Sequence, residues 1–130
     1  MNQDQIEQIL KLSCDERYDY SLVDMVDSKE IWILINGDDQ FLKLFSEEED
    51  IEYLPIWPAE DFAKAYASDL NEGLIPKSIA LPHFLNKWIP GLQRDGLQVN
   101  VFPSSMDDSS WIMPADELRD DLKNELSNQV

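Results

Sequence analysis

His83 is the only histidine of the chain and Cys14 its only cysteine. Together they bound the chemistry on offer. His83 follows Pro82 near the start of a segment with helical spacing. As a general base it needs an orienting carboxylate and a nucleophile within hydrogen-bond reach, and no serine or cysteine motif accompanies it. Only pairing in space with an acid such as Asp61 or Asp95 would give it that role; otherwise it is a polar residue at a helix start. Cys14 also opens a helical segment, where the dipole can lower a thiol pKa. A lone small cysteine reads as interior packing. It excludes an intrachain disulfide and a cysteine-based zinc site.

The acidic pairs and runs offer oxygen ligands without the order a metal needs. Glu47-Glu48-Glu49-Asp50, Asp38-Asp39 and Asp107-Asp108 lack the calcium-loop spacing with its central glycine and terminal glutamate. They read as solvated loops. The four glycines, Gly37, Gly73, Gly91 and Gly96, each read as turn residues. No phosphate-cradling glycine motif is present, so a P-loop or dinucleotide fingerprint is excluded, and no cofactor and no metal is implied.

Aromatic residues are the better lead. Trp32, Trp57, Trp88 and Trp111 recur at element ends or on helix faces. Core packing accounts for most of them. Trp57 ends an apolar run, where ligands bind in sheets with helical crossovers. Trp88 precedes Pro90, with Lys87 and Arg94 close enough in sequence to supply positive charge. The candidate ligand site is therefore a cleft near Trp57, His83, Trp88 and Arg94.

The elements that would position these residues follow from periodicity. Residues 4–12 carry Ile6, Ile9 and Leu10 on one helical face. Ser13 with Glu16 forms a capping-box signature for a second helix bearing Tyr18, Leu22, Met25 and Val26. Residues 30–35 read as a strand, Asn36-Gly37 as a hairpin turn, and residues 40–45 as the returning strand. Residues 53–57 form a third strand that stops at Trp57-Pro58 and turns into a helix carrying Phe62, Tyr66 and Leu70. Residues 78–81 give a short fourth strand. The next helix starts at Pro82 and is expected to break or kink at Pro90. Asp95-Gly96 is a turn, residues 97–102 a fifth strand, residues 110–113 a sixth, and Leu118, Leu122 and Leu126 mark a last helix. Residues 127–130 are expected to fray. This order implies a single α+β domain over residues 1–130: one mixed sheet, a hairpin-led meander plus two βα crossovers, with helices packed on it.

Charge narrows the partners. The chain of 130 residues has 27 acids against 10 bases, a net charge of −17. Such a field repels phosphate backbones, so nucleic acid is disfavoured, and it attracts basic proteins. Residues 46–61 hold Glu47, Glu48, Glu49, Asp50, Glu52, Glu60 and Asp61 and no base. Over residues 62–106, by contrast, Lys64, Lys77, Lys87 and Arg94 outnumber Asp69, Glu72 and Asp95. A small anionic metabolite would be tolerated there. No secretory signal opens the chain, and no apolar run approaches the roughly 20 residues of a membrane helix. The expected setting is the cytoplasm, without membrane contact; the sequence does not specify an oligomeric state.

Several segments carry a family likeness. Glu16-Arg17-Tyr18 with Tyr20, Glu30 with Trp32, and Leu54-Pro55-Ile56-Trp57-Pro58 with Phe62-Ala63 are the first group. Phe84-Leu85, Lys87-Trp88-Ile89-Pro90-Gly91-Leu92, Asp95-Gly96, and Val99 with Val101-Phe102-Pro103 complete it. Together they resemble the bacterial family catalogued as domain of unknown function 2750, DUF2750, over nearly the whole chain. The resemblance implies a single-domain bacterial protein and no particular activity. The element order is also similar, in pattern only, to the N-terminal domain of the SseB family; fold analogy does not transfer function.

The functional expectation is a non-catalytic, acidic protein-interaction module of accessory, regulatory or immunity-like type. Its partner-binding residues would be Glu47, Glu48, Glu49 and Asp50, and its partner a basic protein. The alternative is a metabolite-binding domain using the cleft near Trp57 and Trp88.

Overall fold

The computed structural model describes residues 2–104 and 112–128. Two helices open it, α1 (Gln3–Leu10) and α2 (Cys14–Ser28). Each starts on a capping box, Asn2 with Gln5 and Ser13 with Glu16, so backbone donors left without intrahelical partners are satisfied locally. The second pair is the one the sequence announces. Helix α2 ends on Lys29 in the left-handed region, φ 62°, which redirects the chain into strand β1 (Glu30–Ile35).

The hairpin after β1 forms, but not with the turn the Asn-Gly signal suggests. Gly37 does not take positive φ; Asp39 does, at 61°. The Asn36 side chain accepts hydrogen bonds from the Asp38 and Gln40 N–H groups at 2.9 and 3.0 Å. It thereby organises the longer hairpin loop, in which a left-handed residue closes the turn. Ile35 pairs with Phe41 in a single bridge and the Leu42 N–H donates to the Leu34 carbonyl at 2.8 Å. The returning chain then leaves β1. Its strand β2 (Leu44–Ser46) pairs antiparallel with β3 (Ile51–Ile56), and Glu47–Asp50 form the tip between them.

Helix α3 (Glu60–Leu70) follows, with Glu60 and Asp61 in its first turn and Phe62, Ala63 and Ala67 buried. Strand β4 (Ile75–Ala80) is longer than expected and pairs antiparallel with β1 over its full length. A continuous helical rod comes next: α4 (Leu81–His83), a π turn over Phe84–Trp88, and α5 (Ile89–Asp95). Strand β5 (Gln98–Val101) lies parallel to β3, β6 (Ile112–Met113) lies antiparallel to β5, and α6 (Ala115–Asn128) packs Ala115, Leu118 and Leu122 inward. Ser127 and Asn128, expected to fray, are helical; Trp111 and Asp107-Asp108 lie outside the described residues.

The fold is α+β, as read from the sequence. The expected single sheet is drawn as two ladders, β1-β4 and β2-β3-β5-β6. They meet at one bridge, where Trp32 and Trp57 exchange N–H···O bonds of 2.9 Å each. Beneath them lies one cluster of buried residues: Ile31, Ile33 and Leu34 from β1, Leu54 and Ile56 from β3, Val99 and Val101 from β5, with Met25, Phe84, Ile89 and Leu118 from the helices. Each such side chain contributes about 1.5–3 kcal/mol by leaving water.

Candidate functional site

The two tryptophans singled out by sequence end in opposite environments. Trp57 is 0 % exposed. Its indole Nε1–H donates to the Pro103 carbonyl at 3.0 Å, and its ring lies 5.2 Å from that of Tyr66. The Pro103 segment is in turn fastened by Arg17, which is 1 % exposed. Arg17 donates from Nε to the Phe102 carbonyl at 3.0 Å and from Nη1 to the Leu12 carbonyl at 2.7 Å. Phe102 holds φ at 53°, a strained conformation for a bulky residue. Its N–H to the Ile56 carbonyl, 2.8 Å, and its ring against Phe62, 4.7 Å between centroids, hold it there. Nearby, the Tyr18 hydroxyl donates to Asp121; burial, then that carboxylate, push the phenol well above its ordinary range. Burial likewise raises Tyr66. This end of the molecule is a structural seam, and the Trp57 indole has no free polar handle.

Trp88 is only half-buried and lines an open cavity of about 220 Å³. Phe41, returned by the β1 hairpin, meets the Trp88 ring edge-on at 5.3 Å. Lys87 and Trp88 come from the π turn, Gly91, Leu92 and Asp95 from α5, and Leu97 from the turn closed by Gly96 at φ 74°. Trp57, His83 and Arg94 are not on the wall.

The local sequence explains why Trp88 is half-buried. Pro90 has no N–H for an i→i−4 bond, and its ring would press on the Asn86 carbonyl of a regular helix. The expected break does not occur. The Ile89 N–H instead reaches back five residues to the Phe84 carbonyl, and the widened turn carries the rod past the proline. The extra residue rotates the apolar stripe. Phe84, Ile89 and Leu92 become core, while Leu85 and Trp88 are left half-buried beside it.

Gly91 also departs from the expected role. It is not at a turn but within α5, and its φ is not positive. A Cβ built on it meets nothing closer than the Arg94 Nη2, at 3.8 Å. Neither backbone conformation nor a close neighbour requires glycine there.

Electrostatically the rim carries two cations against one anion. Lys87 is exposed and forms no ion pair or hydrogen bond with any described residue. Arg94 lies just outside the wall, beside Gly91, and its Nε is 3.4 Å from Asp95 Oδ1. His83 is exposed, four residues before Lys87, and pairs with neither Asp61 nor Asp95. Among the described residues, no group of three or more His, Cys, Asp or Glu is placed to hold a metal ion, and no helix is long and apolar enough to cross a membrane.

Glu47, Glu48, Glu49 and Asp50 are all exposed at the β2–β3 tip. Phe45, on the edge strand beside them, is 53 % exposed. Sequence reasoning did not single out Phe41, Phe45, Gly91 or Leu97. For Phe41 the available signal was an aromatic residue just past a turn; for Gly91 it was a glycine one residue after a proline within a helical pattern.

Fold and site define a small α+β domain with an aromatic-walled cavity built on an irregular helical rod. The chain belongs to the family of proteins of unknown function DUF2750, whose model matches residues 18–122. That span contains every residue of the cavity wall and of the Trp57 seam except Leu12 and Arg17. No curated protein matches the chain.

Proposed function

We propose that this protein is a non-catalytic binding module whose ligand seats in the Phe41–Trp88 cavity. The observation that carries the reading is Gly91. A glycine inside a helix costs about 0.5–1 kcal/mol relative to alanine. Here nothing in the fold needs it, and it lies on the cavity wall, where a Cβ would meet only the Arg94 Nη2 at 3.8 Å. The π turn that holds Trp88 half out of the core supports the same reading, since such turns concentrate at working sites. So does the pairing of an apolar wall with few polar groups. The isolated His83 gives no support to catalysis.

A compound library screened by NMR on the isotope-labelled chain tests this. Binders should shift the amides of residues 87–97 and the Trp88 indole N–H, and lose that response in Gly91→Leu, which adds a bulky side chain to the wall. Binders that map elsewhere, or that ignore the substitution, would contradict the reading.

A basic protein partner is a second reading, favoured by the β2–β3 tip. Phe45 beside four carboxylates offers an apolar contact within an acidic field, which speeds encounter with basic surfaces and makes it salt-sensitive. Charge reversal at Glu47, Glu48 and Glu49 should then abolish salt-sensitive binding. Unchanged binding would remove this reading and leave the cavity untouched.

A further inference from the structure

We infer that the cavity takes a small aromatic carboxylate: a single flat ring packed against Phe41 and Trp88, with its anionic group at Lys87. The inference rests on the cavity being the binding site and adds the chemical class of its occupant.

Three features select that class. The first is size. About 220 Å³ is below the roughly 300–1,000 Å³ of pockets for drug-sized ligands, so the occupant is compact. The second is the wall. Phe41 and Trp88 stand edge-to-face at 64°, with Leu92 and Leu97 completing an apolar lining. A ring entering there can stack on the face of one aromatic residue and meet the edge of the other. The third is charge. Like Lys11, Lys29, Lys77 and Lys123, Lys87 is exposed and forms no ion pair with any described residue; of these lysines it is the one that lines the cavity. Asp95, the only acid on the wall, already lies against Arg94. The mouth therefore presents a free ammonium to the incoming group. The rest of the surface repels anions, which confines their binding to this stretch. A neutral apolar ring would leave Lys87 unused, and a cationic ligand would face Lys87 and Arg94 together.

The experiment compares phenylacetate with its neutral isostere phenylacetamide and with the cationic phenethylamine, each titrated into the labelled full chain at low salt. Residues 87–97 and the Trp88 indole N–H are the reporters. Phenylacetate should bind about tenfold more tightly than phenylacetamide, as expected for one charge-assisted contact, and phenethylamine should bind most weakly. Lys87→Met should erase the preference for the carboxylate, bringing phenylacetate to the affinity of phenylacetamide. Lys87 is exposed, so the variant folds, and an unchanged amide spectrum away from the cavity confirms it. Equal binding of phenylacetate and phenylacetamide, or indifference to Lys87→Met, overturns the charge assignment while the cavity reading survives. Failure of all three compounds to shift any reporter overturns the inference, and the library screen alone then decides the cavity reading.

Discussion

Trp57 and Trp88 each lie within two residues of a proline, and the fold treats them oppositely. Trp57 is sealed between the two ladders: its N–H goes to Pro103, and Arg17 ties the covering segment down. Trp88 stands half out of the core on a widened turn, in edge-to-face contact with Phe41 on the wall of an open cavity. Stability is concentrated at the first and room at the second. Burial with the indole N–H paired marks a joint, whereas a half-buried aromatic beside an unneeded glycine marks a place kept open.

The largest effects should come from breaking the sealed end. Trp57→Ala should cost about 3–5 kcal/mol, because a fully buried indole leaves a void that the surroundings cannot close; urea unfolding followed by circular dichroism measures it. Arg17→Met should cost about 2–4 kcal/mol, since the Phe102 and Leu12 carbonyls lose a charged donor in a buried place. At the open end the same truncation should be milder. Trp88→Ala should cost about 1–2 kcal/mol, the loss of one edge-to-face contact and partial burial, and should abolish binding at the cavity. Equal costs at the two tryptophans would erase the distinction.

A smaller effect is a matter of pH. Burial, then the neighbouring Asp27, raise the Asp24 carboxyl above its ordinary range. The folded state thus holds that proton more tightly than the unfolded chain. The charged form penalises folding at neutral pH, and the penalty is relieved as pH falls through the raised value. Asp24 also sits towards the negative end of α2. Asp24→Asn should therefore be more stable than the parent at pH 7, with the difference shrinking on acidification. A difference that grows on acidification would contradict the assigned cause.

Much of this architecture is legible in the sequence, because local rules dictate it. Ser13 with Glu16 marks the start of α2, Gly96 supplies the left-handed residue that ends α5, and the alternating element types imply α+β. What is not legible depends on partners distant in the chain. β4 pairs with β1 rather than with its neighbours in sequence, and β2 leaves β1 after one bridge. Pairing is decided by the shared core, not by either strand alone. Nothing in the sequence of α2 marks Arg17 as buried; the Phe102 carbonyl it serves lies 85 residues away. The site was half visible: Trp88 and Lys87 were in view, but Phe41 reaches them only through the β1 hairpin. Trp57 was withdrawn by the Pro103 carbonyl, 46 residues away. Gly91 reads in sequence as a turn residue, and Pro90, the local signal for the π turn, reads as a break or kink.

Gly91→Ala tests the central claim most directly, through two numbers from one variant. Urea unfolding should show it more stable than the parent by about 0.5–1 kcal/mol, the ordinary gain of alanine over glycine in a helix. Phenylacetate titration should show weaker binding at the Trp88 indole N–H. A variant that is less stable, or that binds phenylacetate as the parent does, would show that the glycine serves the fold and not the cavity.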